Sequence, residues 1–203
     1  MNKKNKCLIV VCLIAILVIT KCVILNETMQ MDVVFYDFLK KFTMNNFVSK
    51  FMKFITWFGS AGCFITISIL LFFLIKNKKI SLSIWGNLII IAIFNYCLKI
   101  IFKRPRPLSN SLISISGYSY PSGHSMVSMA FYGYLIYLIN KNVKNKYLKI
   151  SLISFLSLLI ILIGLSRIYL GVHYLSDVLA GFLISIIYLI IMIYLLNGRW
   201  FNA

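Results

Sequence analysis

Six stretches of this chain are apolar enough to belong in a bilayer: Cys7 to Leu25, Ile55 to Ile75, Ile80 to Ile101, Ser125 to Ile139, Ile150 to Leu165 and Val178 to Leu196. A helix needs about 20 apolar residues to cross the hydrocarbon core. The fourth and fifth stretches are short alone and reach that length through their flanks. The expected fold is therefore all-α, a bundle of six transmembrane helices forming a single domain over residues 1–203. Composition agrees. The chain is 61% hydrophobic and 12% charged, against about 45–50% and 25% in soluble domains. An ordinary cytosolic enzyme, a disordered tail and a collagen-like repeat are excluded.

The first stretch follows Lys3, Lys4 and Lys6 and resembles a signal peptide. No small-x-small cleavage site follows it, so an uncleaved anchor is expected. Between the first two spans, Val34, Phe35, Phe38, Phe42, Phe47 and Phe51 recur among lysines. That pattern predicts an amphipathic interfacial helix over Met31 to Phe51, acting as a packing connector or a lipid-access lid.

There are 21 Lys+Arg against 4 Asp+Glu. In a soluble chain that excess would suggest nucleic acid, but here the lysines cluster between apolar runs. Lys3, Lys4, Lys6, Lys76, Lys78, Lys79, Lys141, Lys144, Lys146, Lys149 and Arg199 fall on one side of a six-span chain. The positive-inside bias makes that side cytoplasmic, with both termini there, and puts residues 26–54, 102–121 and 167–176 outside. Basic residues in those outer loops, Lys103 and Arg104 among them, weaken the bias; these two are expected to form a solvated or headgroup-facing patch. Tyr118, Tyr120, Tyr169 and Tyr174 are expected as an interfacial belt. The five cysteines (Cys7, Cys12, Cys22, Cys63, Cys97) show no metal or disulfide spacing, and read as small buried hydrophobes.

Ionisable residues at span ends are costly and point to function. Lys99, Arg106, His124, Arg167, His173 and Asp177 all fall at the outer ends of spans, and both histidines of the chain are among them. Lys99, Arg106 and Arg167 suit an anion with several oxygens, arginine through its planar fork and lysine as a point charge. Ser122 and Gly123 begin the fourth span, where free backbone N–H groups bind phosphate. His173 and Asp177 are four apart and share a face if that helix begins early. The carboxylate would fix one ring nitrogen and leave the other free to attack phosphorus. His124 could protonate the leaving oxygen. With one acid near the site, a two-metal mechanism lacks its ligands, so no metal or other cofactor is expected.

Lys99-x6-Arg106-Pro107, Pro121-Ser122-Gly123-His124 and Ser166-Arg167-x5-His173-x3-Asp177 resemble the three-part signature of the type-2 phosphatidic acid phosphatase and haloperoxidase superfamily, within residues 99–177. The resemblance implies a phosphohistidine on His173, oriented by Asp177, with His124 as acid and phosphate held by Lys99, Arg106, Ser122, Gly123 and Arg167. It also implies inhibition by vanadate. The expected activity is metal-independent hydrolysis of a lipid phosphate or diphosphate monoester at the extracytoplasmic face. Undecaprenyl diphosphate leads as substrate, ahead of phosphatidylglycerophosphate and phosphatidic acid. Phosphotransfer between headgroups and non-catalytic binding or transport of an anionic lipid are the alternatives. The expected partner is the lipid itself; neither nucleic acid nor an obligate protein partner is indicated.

Overall fold

The computed structural model describes residues 1–25, 30–43, 45–107 and 111–199. Glu27 lies outside the described residues. Among those described, every regular element is a helix: α1 (Lys3–Ile24), α2 (Gln30–Thr43), α3 (Asn46–Trp57), α4 (Ala61–Leu74), α5 (Lys78–Phe102), α6 (Gly123–Asn142), α7 (Lys146–Tyr169) and α8 (Leu175–Arg199).

Four helices are long and apolar enough to cross a membrane: α1, α5, α7 and the Leu175–Asn197 part of α8. Their most apolar windows are only 17–28% buried inside the protein. Leu17, Phe73, Leu74 and Ile101 lie 67–77% exposed, which is tolerable only where lipid replaces water. The chain is a multi-pass membrane protein.

The expected second span is not one straight helix. It falls across α3 and α4, which meet at a 50° bend and count as a fifth crossing if taken together. Ser60 caps α4 by accepting a hydrogen bond from Cys63 N–H, so the new helix starts there. The expected fourth span is α6, which is long enough but less apolar than the others. Its position explains the difference. It packs against α5, α7 and α8, burying Ser125, Ser128, Tyr132 and Tyr134 against protein, not lipid.

The single interfacial helix expected over Met31 to Phe51 divides instead into α2 and α3. Asn45 starts the second of them by capping Val48 N–H. The cysteines also divide: Cys12 and Cys63 are buried, Cys22 is half-buried, and Cys7 and Cys97 are exposed on outward helix faces. Sulfur is apolar enough to face lipid as readily as the core.

Candidate active site

The C-terminal ends of α5 and α7 and the N-terminal ends of α6 and α8 come together at one end of the bundle. At about 1.5 Å per residue, the 25 residues of α5 put Lys78 and its neighbouring lysines at the opposite end. All the signature residues therefore converge.

His173 is at the centre and 3% exposed. Its Nε2 lies 3.0 Å from an Arg106 terminal nitrogen and its Nδ1 lies 3.3 Å from Asp177 Oδ2. Guanidinium can only donate, so Nε2 carries the lone pair and Nδ1 carries the proton that Asp177 accepts. Burial lowers the His173 pKa from its ordinary value to about 4, against the opposing pull of Asp177. The ring is neutral at physiological pH.

The spacing of His173 and Asp177 does not come from a shared helical face. α8 begins at Leu175, leaving His173 in the preceding loop. Asp177 instead reaches back over the helix start, with Oδ2 accepting from Tyr174 N–H at 3.0 Å. This is half of a capping box, and it brings the carboxylate up to the ring.

Three cations stand at this end of the bundle, Arg106 against the ring itself. Lys99 donates to the carbonyls of Tyr118 (2.6 Å) and Ser119 (3.3 Å). Arg106 donates to the carbonyls of Gly117, Tyr118 and Val172. Arg167 is 1% exposed. One of its terminal nitrogens donates to Thr56 Oγ1 at 2.6 Å, and its Nε is buried without a partner. Among the described residues, no carboxylate forms a salt bridge with any of the three. One buried cation with an unused N–H and two half-buried ones, none of them salt-bridged among the described residues, are the signature of an anion site.

His124 stands in the first turn of α6, half-buried and within electrostatic reach of Arg167, His173, Arg106 and Lys99. Ser122, at the N-cap of α6, makes no side-chain capping bond. Its backbone N–H, expected to be free for phosphate, instead donates to the Asp177 carbonyl at 3.1 Å, and its Oγ accepts from Ser125. The first helical bond runs from Met126 N–H to the Ser122 carbonyl, so the N–H groups of Gly123, His124 and Ser125 have no partner within the helix. A Cβ on Gly123 would stand 2.9 Å from Asn95 Oδ1 and 3.8 Å from Lys99 Cε. Only glycine lets α6 start this close to α5.

An apolar groove of about 400 Å³ runs along α4, α5 and α6, lined by Phe64, Trp85, Leu88 and Val127, with Gly123 and His124 at its head.

Several residues of this end were not expected from sequence. Asn95, buried in α5, donates to the Pro121 carbonyl and fixes the approach to α6. A polar residue inside a span was the available signal. Thr56, which holds Arg167, gave none. Arg104 is a correction: it is 7% exposed and salt-bridged to Asp177 (2.6 Å) and Asp32 (3.2 Å), and is no headgroup-facing patch. Lys103 is exposed as expected. Asp32 is a second carboxylate at the site, where one was expected. The tyrosines are corrected too. Tyr120 and Tyr169 are buried, bonded to Thr20 and Ser49, and Tyr174 lies under Arg104; only Tyr118 is exposed.

A helical membrane protein with an uncompensated cationic bowl around a carboxylate-linked histidine is the class that fold and site define. The PAP2 superfamily profile matches residues 80–201, and the chain belongs to that superfamily. It is 33% identical over 111 residues to phosphatidylglycerophosphatase B of Bacillus subtilis (strain 168), covering 51% of this chain and 54% of that protein. It is 34% identical over 108 residues to sphingosine-1-phosphate phosphatase 1 of Rattus norvegicus, covering 51% of this chain and 25% of that protein. The chain thus matches about half the length of the first relative and a quarter of the second. Two crystal structures share the fold. One is a transmembrane PAP2-type phosphatidylglycerolphosphate phosphatase from Bacillus subtilis (TM-score 0.76, 22% identity, 98% of both chains). The other is Aquifex aeolicus LpxE (TM-score 0.67, 24% identity, 83% of this chain and 98% of that one).

Proposed function

We propose that the protein is a lipid phosphate phosphatase that works through a phosphohistidine on His173. The observation that carries this reading is the His173 ring: Nδ1–H faces Asp177, and the Nε2 lone pair faces a bowl of cations that lack counter-ions. Arg106 donates to that lone pair. Phosphoryl oxygens entering the bowl accept the guanidinium hydrogens and release Nε2 for attack. An N–P bond forms as the P–O ester bond breaks, and His124, which takes up a proton once the anionic phosphate stands beside it, gives that proton to the departing lipid alcohol. Water then attacks phosphorus, His124 takes its proton, the N–P bond breaks, and inorganic phosphate leaves. Lys99, Arg106, Arg167 and the N–H groups at the start of α6 stabilise the charge that builds on the equatorial oxygens. Ser122 supports that helix start, with its own N–H already committed. These cations take the role of metal ions, and the reaction is metal-independent.

The groove ending at His124 supports a lipid substrate, since an apolar tail can lie along α4 and α5 while the headgroup meets the bowl. Phosphatidylglycerophosphate is the first candidate, on the name of the bacterial relative. A prenyl diphosphate is second, because Arg104, a candidate for its extra charge, is consumed by carboxylates. In the membrane, α1, the bent α3–α4 pair, α5, α6, α7 and α8 make six crossings, α2 lies at the interface, both termini are cytoplasmic and the site faces outward. A cysteine replacing Ser116 in a cysteine-free chain should react from outside intact cells, and one replacing Asn145 only after permeabilisation. The reverse pattern contradicts this orientation. The activity is tested by phosphate release from purified protein presented with phosphatidylglycerophosphate, phosphatidic acid and undecaprenyl diphosphate in mixed micelles. Release from at least one is expected; binding without turnover of any would favour a non-catalytic lipid binder.

A further inference from the structure

Behind His173, on the side away from the bowl, lies a buried charge cluster in which only Asp177 belongs to a signature motif. Asp177 Oδ1 accepts from an Arg104 terminal nitrogen at 2.6 Å, a closer contact than Oδ2 makes with His173 at 3.3 Å. The same Arg104 nitrogen donates to Ser176 Oγ, and the other terminal nitrogen donates to Asp32 Oδ2 at 3.2 Å. Asp32 belongs to α2, 144 residues before Ser176, yet its Oδ1 accepts from Ser176 N–H and its Oδ2 from Ser176 Oγ, both at 2.7 Å. Two carboxylates therefore serve the start of α8, where free N–H groups and the helix dipole favour negative charge.

Local geometry aims Arg104 inward. Lys103 ends α5 in the left-handed region at φ 45°, which turns the chain sharply and separates the exposed Lys103 from the buried Arg104. The Arg104 guanidinium then stacks 4.1 Å from the centre of the Tyr174 ring, and the Arg104 carbonyl accepts from Ser119 N–H. Planar stacking and two forked donor ends are features lysine lacks.

We infer that Asp32 and Arg104 are positioning residues for the reaction, acting on His173 through Asp177, so that the seating of α2 on α8 is part of the catalytic machinery. The inference rests on the phosphohistidine reading. One guanidinium shared by two carboxylates leaves Asp177 with net negative charge toward the imidazole. That charge keeps the Nδ1 proton in place and stabilises the positive ring that forms as Nε2 bonds to phosphorus. Without the charge of Asp32, Arg104 belongs wholly to Asp177 and its pull on the ring weakens. Without the fork of Arg104, the carboxylate loses its orientation.

The test is the rate constant of phosphoenzyme formation in a single turnover. Purified full-length protein in micelles reacts with short-chain phosphatidic acid labelled in its phosphate and is quenched in base. A rate constant, unlike an amplitude, does not depend on how much of the sample is folded. Asp32→Asn should slow it about tenfold with the half-saturating lipid concentration nearly unchanged, the scale on which partners of an orienting group usually act. Arg104→Lys should slow it at least as much, and Asp32→Glu should recover part of the loss. Should Asp32→Asn fail to fold, Ser176→Ala keeps the backbone bond to Asp32, removes the hydroxyl link, and should slow the step by a smaller factor. Unchanged rate constants in the folded variants, with losses only in yield or stability, would overturn the inference by making the cluster a mere latch. A wild-type protein that forms no phosphoenzyme would overturn the phosphohistidine reading and this inference with it.

Discussion

Arg104 and Arg106 stand two residues apart on one loop and belong to opposite kinds of environment. Arg106 looks into the bowl, where it finds carbonyl oxygens and a histidine nitrogen; Arg104 looks into the wall behind, where it finds two carboxylates. In the wall, charge is balanced within the protein, and removing a partner strands a buried ion. In the bowl, no carboxylate among the described residues is salt-bridged to the cations, and an anion is what would balance them. Whether a buried cation serves structure or function is thus read from its partners, not from its burial.

The sharpest way to break this comparison is to neutralise one arginine in each region. Arg167→Gln should lower kcat/KM by about 10²–10³-fold, the usual cost of one charge-stabilising donor. Because Arg167 holds a buried charge close to the like charge of Arg106, thermal stability in detergent should hold or rise. Arg104→Gln should lower stability by about 3–5 kcal/mol, since it leaves Asp32 and Asp177 facing each other unpaired. Equal stability losses in the two variants would erase the distinction.

Gly123→Ala probes the bowl's floor. The new methyl must displace Asn95, 2.9 Å away, and tilt the start of α6. A loss of roughly tenfold in turnover is expected from so small a displacement of the reacting groups. Wild-type turnover would mean that α6 does not contact the phosphate.

The pH profile gives a gentler test. Burial holds the His173 pKa at about 4, below the ordinary histidine value. The nucleophile is thus lost only as pH falls through about 4, and the acid limb of kcat/KM, corrected for substrate ionisation, should lie there and not near 6.5. A limb near 6.5 would mean that the ring is more solvated than its 3% exposure implies.

The smallest expected effect is none at all. EDTA should leave turnover unchanged, because the bowl supplies the positive charge, whereas vanadate should inhibit by occupying it. Loss of activity restored by a divalent cation would contradict the metal-free reading.

How much of this was legible in the sequence follows from the same contrast. Apolar runs located α1, α5, α7 and α8 because lipid-facing helices are apolar on most sides. The same rule showed the fourth run as short, but not why: the serines and tyrosines of α6 are satisfied by protein. The bowl residues were legible because Lys99, Arg106, Arg167 and both histidines stand out at the ends of apolar runs. The wall was not. Arg104 among neighbouring basic residues resembles a surface patch, and the burial of Asp32 depends on α2 meeting α8, a contact that no local spacing encodes. Ser122 shows the limit in small: its position at the helix start was correct, but its N–H had a tertiary partner in the Asp177 carbonyl.

The central claim is that His173 carries the phosphoryl group, and the direct measurement is mass spectrometry of protein quenched in base during turnover of phosphatidic acid. The account predicts a phosphate on the peptide containing His173, lost on acid treatment and absent from His173→Ala, whose turnover falls by on the order of 10³-fold or more. Sustained turnover in His173→Ala, or phosphate carried on any other residue, would contradict it.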